Sequence, residues 1–318
     1  MYQYKTEPYN HQREVFDASW QRKYFALFME MGTGKSKVAI DTMAALYEAG
    51  EINTVLITKK YKAEIEELAL PEKREPGFLH ILVMNIEAFS TSKGAGAGQK
   101  FLKLNPENML ILDESTTIKN KSASRTKNLV KAGEQAKYKR ILTGSPITKS
   151  PMDLFSQCLF LDPRALGFRS FYSFQNRYAI VVRRAMGHRS FQEITGYRRL
   201  DELGEKLDTF SSRVLKEDCL DLPDKIYTQR HLQPDDGRIQ ELPNNRLTEL
   251  LAVCEEFQGK AIIWGTWTYD IQKIADALRR RYGAHSTATY YGDTPQDERQ
   301  EIVEQFQDPD SELRFFVG

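Results

Sequence analysis

Residues Met29-Glu30-Met31-Gly32-Thr33-Gly34-Lys35-Ser36 constrain this chain more than any other stretch. They stand between an apolar run, Tyr24 to Phe28, and an amphipathic one, Val38 to Tyr47. A strand that turns through small residues into a helix, with Gly-Lys-Ser at the turn, is the setting of a phosphate-binding loop. Backbone N–H groups in such a loop converge on phosphate oxygens, helped by the positive end of the helix. Glycines permit that approach, and Gly32 and Gly34 stand where it is needed. Lys35 is expected to reach the β- and γ-phosphates, and the Ser36 hydroxyl to ligate Mg²⁺. The strict pattern asks for glycine at the position held by Met29.

Of the 318 residues, 41% are hydrophobic and 28% charged, which suits one large or two ordinary globular domains. A formal net charge of +1 gives no global field for a polyanion, so a basic surface has to be local. Cys158, Cys219 and Cys254 are far apart and form no metal-binding pair, so they read as buried thiols in a reducing compartment. No apolar run approaches the ~20 residues of a spanning helix. The first residues carry no apolar signal core, so export is not expected; the expectation is a cytoplasmic protein with no membrane partner, and a monomer.

Apolar runs at Tyr24–Met29, Thr54–Thr58, Ile81–Asn85, Met109–Leu112 and Arg140–Thr143 alternate with helical stretches at Lys35–Glu48, Lys62–Leu68, Ser122–Gly133 and Pro151–Leu161. Such alternation predicts a parallel sheet covered by helices on both faces. A second alternation runs from about residue 246: helix Arg246–Gln258, strand Lys260–Trp264, helix Asp270–Tyr282, strand Ala288–Tyr291, helix Asp297–Phe306 and strand Leu313–Val317. The fold class is therefore α/β, with residues 1–215 as one lobe, 216–245 as a linker and 246–318 as part of a second, incomplete lobe. Thr91–Lys100 is rich in Gly and Ala and reads as a flexible surface loop. Residues 175–200 read as a basic hairpin insertion turning at Met186-Gly187-His188.

Leu110-Ile111-Leu112-Asp113-Glu114 ends an apolar strand in two carboxylates. At the C-terminal edge of a parallel sheet these would lie beside the phosphate loop. Asp113 would hold Mg²⁺ through water, and Glu114 would orient and deprotonate the water attacking a γ-phosphate. Thr143-Gly144-Ser145-Pro146 follows the next strand and reads as a loop that senses nucleotide state through Thr143 and Ser145.

Together these segments resemble helicase superfamily two, and within it the Swi/Snf-like DNA translocases. Pro8-Tyr9-Asn10-His11-Gln12 resembles the family's upstream glutamine motif, which implies that Gln12 reads the adenine edge. Residues 30–36 are close to the subgroup's first motif, implying that Met31, Gly32, Thr33, Gly34, Lys35 and Ser36 hold ATP; that subgroup tolerates a non-glycine at Met29. Asp113-Glu114-Ser115-Thr116, continuing as Ile118-Lys119-Asn120, resembles the acidic box, with Thr116 in place of the usual His. Thr143-Gly144-Ser145-Pro146-Ile147 resembles the third motif, and Leu222-Pro223-Asp224-Lys225 the segment joining the lobes. Ile262-Ile263-Trp264-Gly265-Thr266 and Tyr291-Gly292-Asp293-Thr294 resemble later motifs. The resemblance implies two RecA-like lobes, an ATP- and Mg²⁺-dependent motor, and arginines for the γ-phosphate from motifs beyond Val317-Gly318, so the chain reads as truncated; its compact size suits a phage or bacterial motor.

The family pattern implies phosphate contacts to DNA, insensitive to sequence and in all expectation to a duplex, from Thr58, Lys59, Asn85 and Thr266. Arg183, Arg184 and Arg189 of the hairpin would add to them; six arginines and one acid lie in Gln175–Leu200, so a gripping hairpin and a merely solvated one are both open. Trp264, after two isoleucines, reads as a packing residue, while Trp267 could pack or stack on bases. His11 could line the adenine pocket or lie idle on the surface. The leading expectation is a DNA translocase; the rival is a nucleotide-gated DNA-binding module with little turnover.

Overall fold

The computed structural model describes residues 2–59, 77–186, 189–219, 221, 226–232 and 244–318. The chain divides into two compact units, Met1–Asp224 and Lys225–Gly318. The expected helix Lys62–Leu68 and the segment Leu222-Pro223-Asp224-Lys225 lie outside the described residues.

The first unit runs α1 (Asn10–Ser19), β1 (Tyr24–Met29), α2 (Lys35–Glu48), β2 (Thr54–Lys59), β3 (His80–Asn85), α3 (Ser92–Leu104), β4 (Asn108–Asp113), α4 (Ser124–Gly133), β5 (Tyr138–Leu142), α5 (Leu154–Leu161), α6 (Phe171–Tyr178), β6 (Ala179–Met186), β7 (Arg189–Tyr197), α7 (Leu200–Asp208), β8 (Ser211–Val214) and α8 (Lys216–Cys219). Six strands form one sheet in the order β3-β2-β4-β5-β1-β8. Every neighbouring pair is parallel. Side chains alternate across such a sheet, so each apolar run feeds two cores. Ala26, Phe28, Leu56, Leu110, Leu112 and Ile141 pack toward the α3–α5 side. Phe25, Leu27, Met29, Val55, Met109, Ile111 and Leu142 pack toward α1 and α2. At about 25 cal/mol per Å² of buried apolar area, this two-sided burial is the main term holding the sheet.

β6 and β7 form the expected antiparallel hairpin, with a register shift between Ile180 and Val181; its turn, residues 187 and 188, lies outside the described residues. The second unit runs α9 (Asn244–Glu256), β9 (Ala261–Ile263), α10 (Thr268–Tyr282), β10 (Thr287–Thr289), α11 (Gln296–Gln307) and β11 (Phe315–Val317). Its three strands form a parallel sheet in the order β10-β11-β9. Ile271, Ile274 and Leu278 of α10 pack on Phe315 and Val317.

Two expectations fail here. Thr91–Lys100 is not a flexible loop: Thr91 caps α3, its hydroxyl accepting from the Gly94 N–H at 3.1 Å. The glycines that suggest flexibility serve close packing instead. A Cβ on Gly98 would stand 2.5 Å from the Phe89 ring, while one on Gly96 would meet nothing. Trp264 is not a packing residue either, being 75% exposed. β9 buries only alternate residues in part and ends at Ile263, so Ile262 faces out and Trp264 lies past the strand. The cysteines are as expected at Cys158 and Cys254, which are buried, whereas Cys219 is half-buried and donates to the Leu215 carbonyl.

Candidate active site

The loop after β1 folds tightly on itself. Thr33 donates through both its N–H, at 3.2 Å, and its hydroxyl, at 2.8 Å, to the Glu30 carbonyl. Gly34 caps α2 at φ +92°, a left-handed conformation that disfavours any side chain. Lys35 bends back over the loop, donating to the Met29 carbonyl at 2.9 Å and the Glu30 carbonyl at 3.4 Å. Burial lowers its pKa, and the carboxylates of Glu114, Asp113 and Glu30 pull the other way. Ser36 and Met31 are exposed on the loop, and Thr33 is buried within it.

α1 closes one side. Gln12 is buried, accepts from the Tyr9 N–H at 3.1 Å and donates to the Thr33 carbonyl at 3.1 Å. His11 Nε2 lies 2.8 Å from the same carbonyl, which makes Nε2 the protonated nitrogen, and Tyr9 stacks on its ring. His11 is therefore tied to the loop rather than idle.

The acidic box ends β4, two strands from β1, with β5 between them. Glu114 adopts φ 54°, ψ 59°, one of two non-glycine residues with positive φ among the described residues. Such a conformation costs on the order of 1–3 kcal/mol and gathers at functional sites. The Glu114 N–H donates to the Asp113 carboxylate at 3.2 Å, and the Thr117 N–H and hydroxyl donate to the Glu114 carbonyl. No group of three or more His, Cys, Asp or Glu among the described residues could hold a metal alone. One hydroxyl and one carboxylate, Ser36 and Asp113, fit an ion that takes oxygen ligands and keeps water and phosphate for the rest, as Mg²⁺ does.

The third loop lies close against β1 and the loop that follows it. Thr143 N–H donates to the Leu27 carbonyl at 3.2 Å. A Cβ on Gly144 would stand 3.3 Å from the Met31 nitrogen. Thr143 is buried, its hydroxyl accepting from the Ser145 N–H at 3.3 Å, and Ser145 is exposed.

One neighbour of the loop is not visible in the sequence. β8 pairs with β1 and delivers Lys216 to the loop. The Lys216 N–H donates to Glu30 Oε2 at 2.9 Å, and its Nζ lies 3.4 Å from where a Gly32 Cβ would be. Nothing in Val214-Leu215-Lys216-Glu217 marks this contact, because it depends on which strand β8 joins.

The expected nucleic-acid residues fare unevenly. Thr58 is fully buried, and its hydroxyl donates to the Ile111 carbonyl at 3.3 Å. Lys59 ends β2 opposite Asn85. Asn85 caps the turn after β3, accepting from the Glu87 N–H at 2.8 Å. Thr266 is exposed, in the second unit before α10. In the hairpin, Arg183 donates to Ser190 Oγ, and Arg184 pairs with Glu193. Arg189 opens β7, its side chain outside the described residues. Arg177 pairs with Glu202, an acid from α7 that lies beyond the run of arginines in sequence. The hairpin is thus less basic than its arginine count suggests.

A model of the SNF2-related domain matches residues 41–247, and one of the helicase conserved C-terminal domain matches residues 243–318. The DNA annealing helicase and endonuclease ZRANB3 of Bos taurus is 30% identical over 246 residues, covering 72% of this chain and 22% of that protein. The TATA-binding protein-associated factor MOT1 of Saccharomyces cerevisiae is 35% identical over 134 residues, covering 41% of this chain and 7% of that protein. The chain thus spans about a fifth of the first relative's length. The SWI2/SNF2 ATPase core of Sulfolobus solfataricus, solved with double-stranded DNA, superimposes with a TM-score of 0.53 at 17% identity, over 99% of this chain and 78% of that one. This likeness bears out the expected α/β fold of RecA-like parallel sheets flanked by helices. With nearly two thirds of its length matched by that domain model, the chain belongs to the SNF2-related family.

Proposed function

We propose that this protein is an ATP-dependent DNA motor, with the ATP site at the C-terminal edge of the six-stranded sheet. The observation that supports it most is how closely Gly144 approaches the Met31 backbone, where a Cβ would stand 3.3 Å from the Met31 nitrogen, because it brings the loop after β5 against the loop after β1. In this reading Gln12 reads the adenine, and Gly32, Thr33 and Gly34 offer backbone N–H groups to phosphate. Lys35 exchanges two neutral carbonyl oxygens for anionic β- and γ-phosphate oxygens, so that both donor and acceptor are charged. Lys216 adds a second cation beside Gly32. Ser36, and Asp113 through water, would hold Mg²⁺, which would neutralise phosphate charge. Glu114 orients the attacking water and takes its proton.

DNA contacts fall to Lys59, Asn85, Arg183, Arg184, Arg189 and Thr266, mainly to phosphates and independent of sequence. The Sulfolobus neighbour was solved with duplex DNA, and the relatives named above carry helicase and TATA-factor names; both favour a duplex track. ATP turnover by the full-length protein, with and without duplex DNA, tests the reading. DNA should raise turnover in the wild type, and Lys35→Ala should abolish it. Turnover untouched by DNA, or equal in wild type and Lys35→Ala, rejects the motor; ATP binding without turnover leaves the nucleotide-gated module.

A further inference from the structure

Gln157 lies on α5, fully buried among apolar residues of the same helix, Leu154, Phe155, Cys158 and Leu161. A buried amide there is costly unless every polar atom is matched. Its Oε1 accepts from the Ser115 hydroxyl at 2.6 Å. Its Nε2 donates to the Pro146 carbonyl at 2.7 Å and to the Asp153 carbonyl at 2.9 Å. Ser115 directly follows Asp113-Glu114, and Pro146 directly follows Thr143-Gly144-Ser145. One side chain therefore joins the segment that presents the two carboxylates to the loop that lies close against the phosphate loop.

A parallel connection holds the outer end of the same loop. Asp153 accepts from the Thr148 N–H, the Thr148 hydroxyl and the Lys149 N–H at 2.8–3.0 Å. Those hydrogen bonds keep its pKa low against the effect of burial. Lys119, five residues after Glu114, donates to Thr148 Oγ1 at 2.6 Å. Asp153 and Lys119 brace the rim of the loop; among the described residues Gln157 is the side chain that hydrogen-bonds Ser115, at the root of the strained Glu114. Packing gives no reason for an amide at this place, since an apolar side chain of similar size would fill the same helix face. The chain carries Thr116 where the family it resembles carries histidine, so the link between box and loop runs through another residue.

We propose that Gln157 is a positioning residue that couples the acidic box to the third loop, so that a change in Glu114 is felt at Thr143-Gly144-Ser145 and the reverse. The proposal rests on the ATP-site reading given above. It touches no reacting atom, so it predicts altered coupling rather than lost binding.

The decisive variant is Ser115→Ala in the full-length protein, because it cuts the link while Gln157 keeps Pro146 and Asp153. Losing one buried hydrogen bond to a neutral partner corresponds to about a tenfold change. The stimulation by duplex DNA, read as the ratio of kcat with DNA to kcat without it, should fall about tenfold, with the KM for ATP within about threefold of wild type. Ser115→Thr, which keeps the hydroxyl, should restore stimulation. Gln157→Leu combined with Ser115→Ala removes the Ser115–Gln157 pair but also takes the side-chain donor from the Pro146 and Asp153 carbonyls, so it should melt below the wild type and remain uncoupled. Wild-type stimulation in a folded Ser115→Ala protein overturns the proposal alone. Turnover in the wild type that Lys35→Ala leaves intact overturns the ATP-site reading and this proposal with it.

Discussion

The carboxamide of Gln12 occupies the space that a side chain on Gly34 would need: its Cδ lies 3.0 Å from the ideal Cβ position, and its Nε2 closer still. Gly34→Ala therefore meets two obstacles, this contact and the φ of +92°. We expect Gln12 to be expelled from its bonds to Thr33 and Tyr9, and nucleotide affinity to fall more than about tenfold while the protein stays folded. Titration with a fluorescent adenine nucleotide checks this; binding equal to wild type would show that the contact relaxes freely.

Glu114 predicts a split between stability and activity. Glycine accepts its left-handed backbone without penalty, so Glu114→Gly should raise stability by about 1 kcal/mol after the entropy cost of glycine, and end turnover. Glu114→Gln, which keeps the Cβ and the strain, should end turnover with no gain. Thermal melts of both beside ATPase assays separate strain from chemistry.

Two glycines of α3 predict opposite outcomes. Gly96→Ala meets nothing and should stabilise by roughly 0.5–1 kcal/mol through helix propensity. Gly98→Ala drives a methyl against Phe89, itself fully buried, and should destabilise by about 1–3 kcal/mol. Denaturant midpoints decide; a stabilised Gly98→Ala would mean that α3 does not pack as described.

Lys216→Gln should weaken nucleotide binding about threefold to fivefold and flatten its salt dependence, as expected for one partly screened cation near phosphate. Lys216→Arg should keep both. Its backbone bond to Glu30 survives either change, so calorimetric binding at two salt concentrations reads the charge alone.

The sheet and the loop were legible because they depend on local patterns. Apolar runs such as Leu110-Ile111-Leu112 mark buried strands wherever they pair, and Gly32 and Gly34 mark a backbone that only glycine takes easily. What stayed hidden depends on distant neighbours. Thr58 looks like a free strand end, but burial turns its hydroxyl onto Ile111. Gly98 signals freedom until Phe89 is placed against it. Glu202 cannot be assigned to Arg177, nor Gln157 to Ser115, until α7 and α5 have docked. Trp264 follows two isoleucines, yet β9 stops one residue before it.

β8 is the last strand before the chain leaves the first unit, and it is hydrogen-bonded to β1 from Ala26–Ser211 to Met29–Val214. The two strands run parallel, so a pull on the departing chain along the strand direction loads this ladder in shear, with its bonds sharing the force instead of failing in turn. The far side of the ladder is Met29, the residue at the mouth of the phosphate loop. The exit of the chain from the first unit is in mechanical terms a tendon inserted at the root of the loop between β1 and α2.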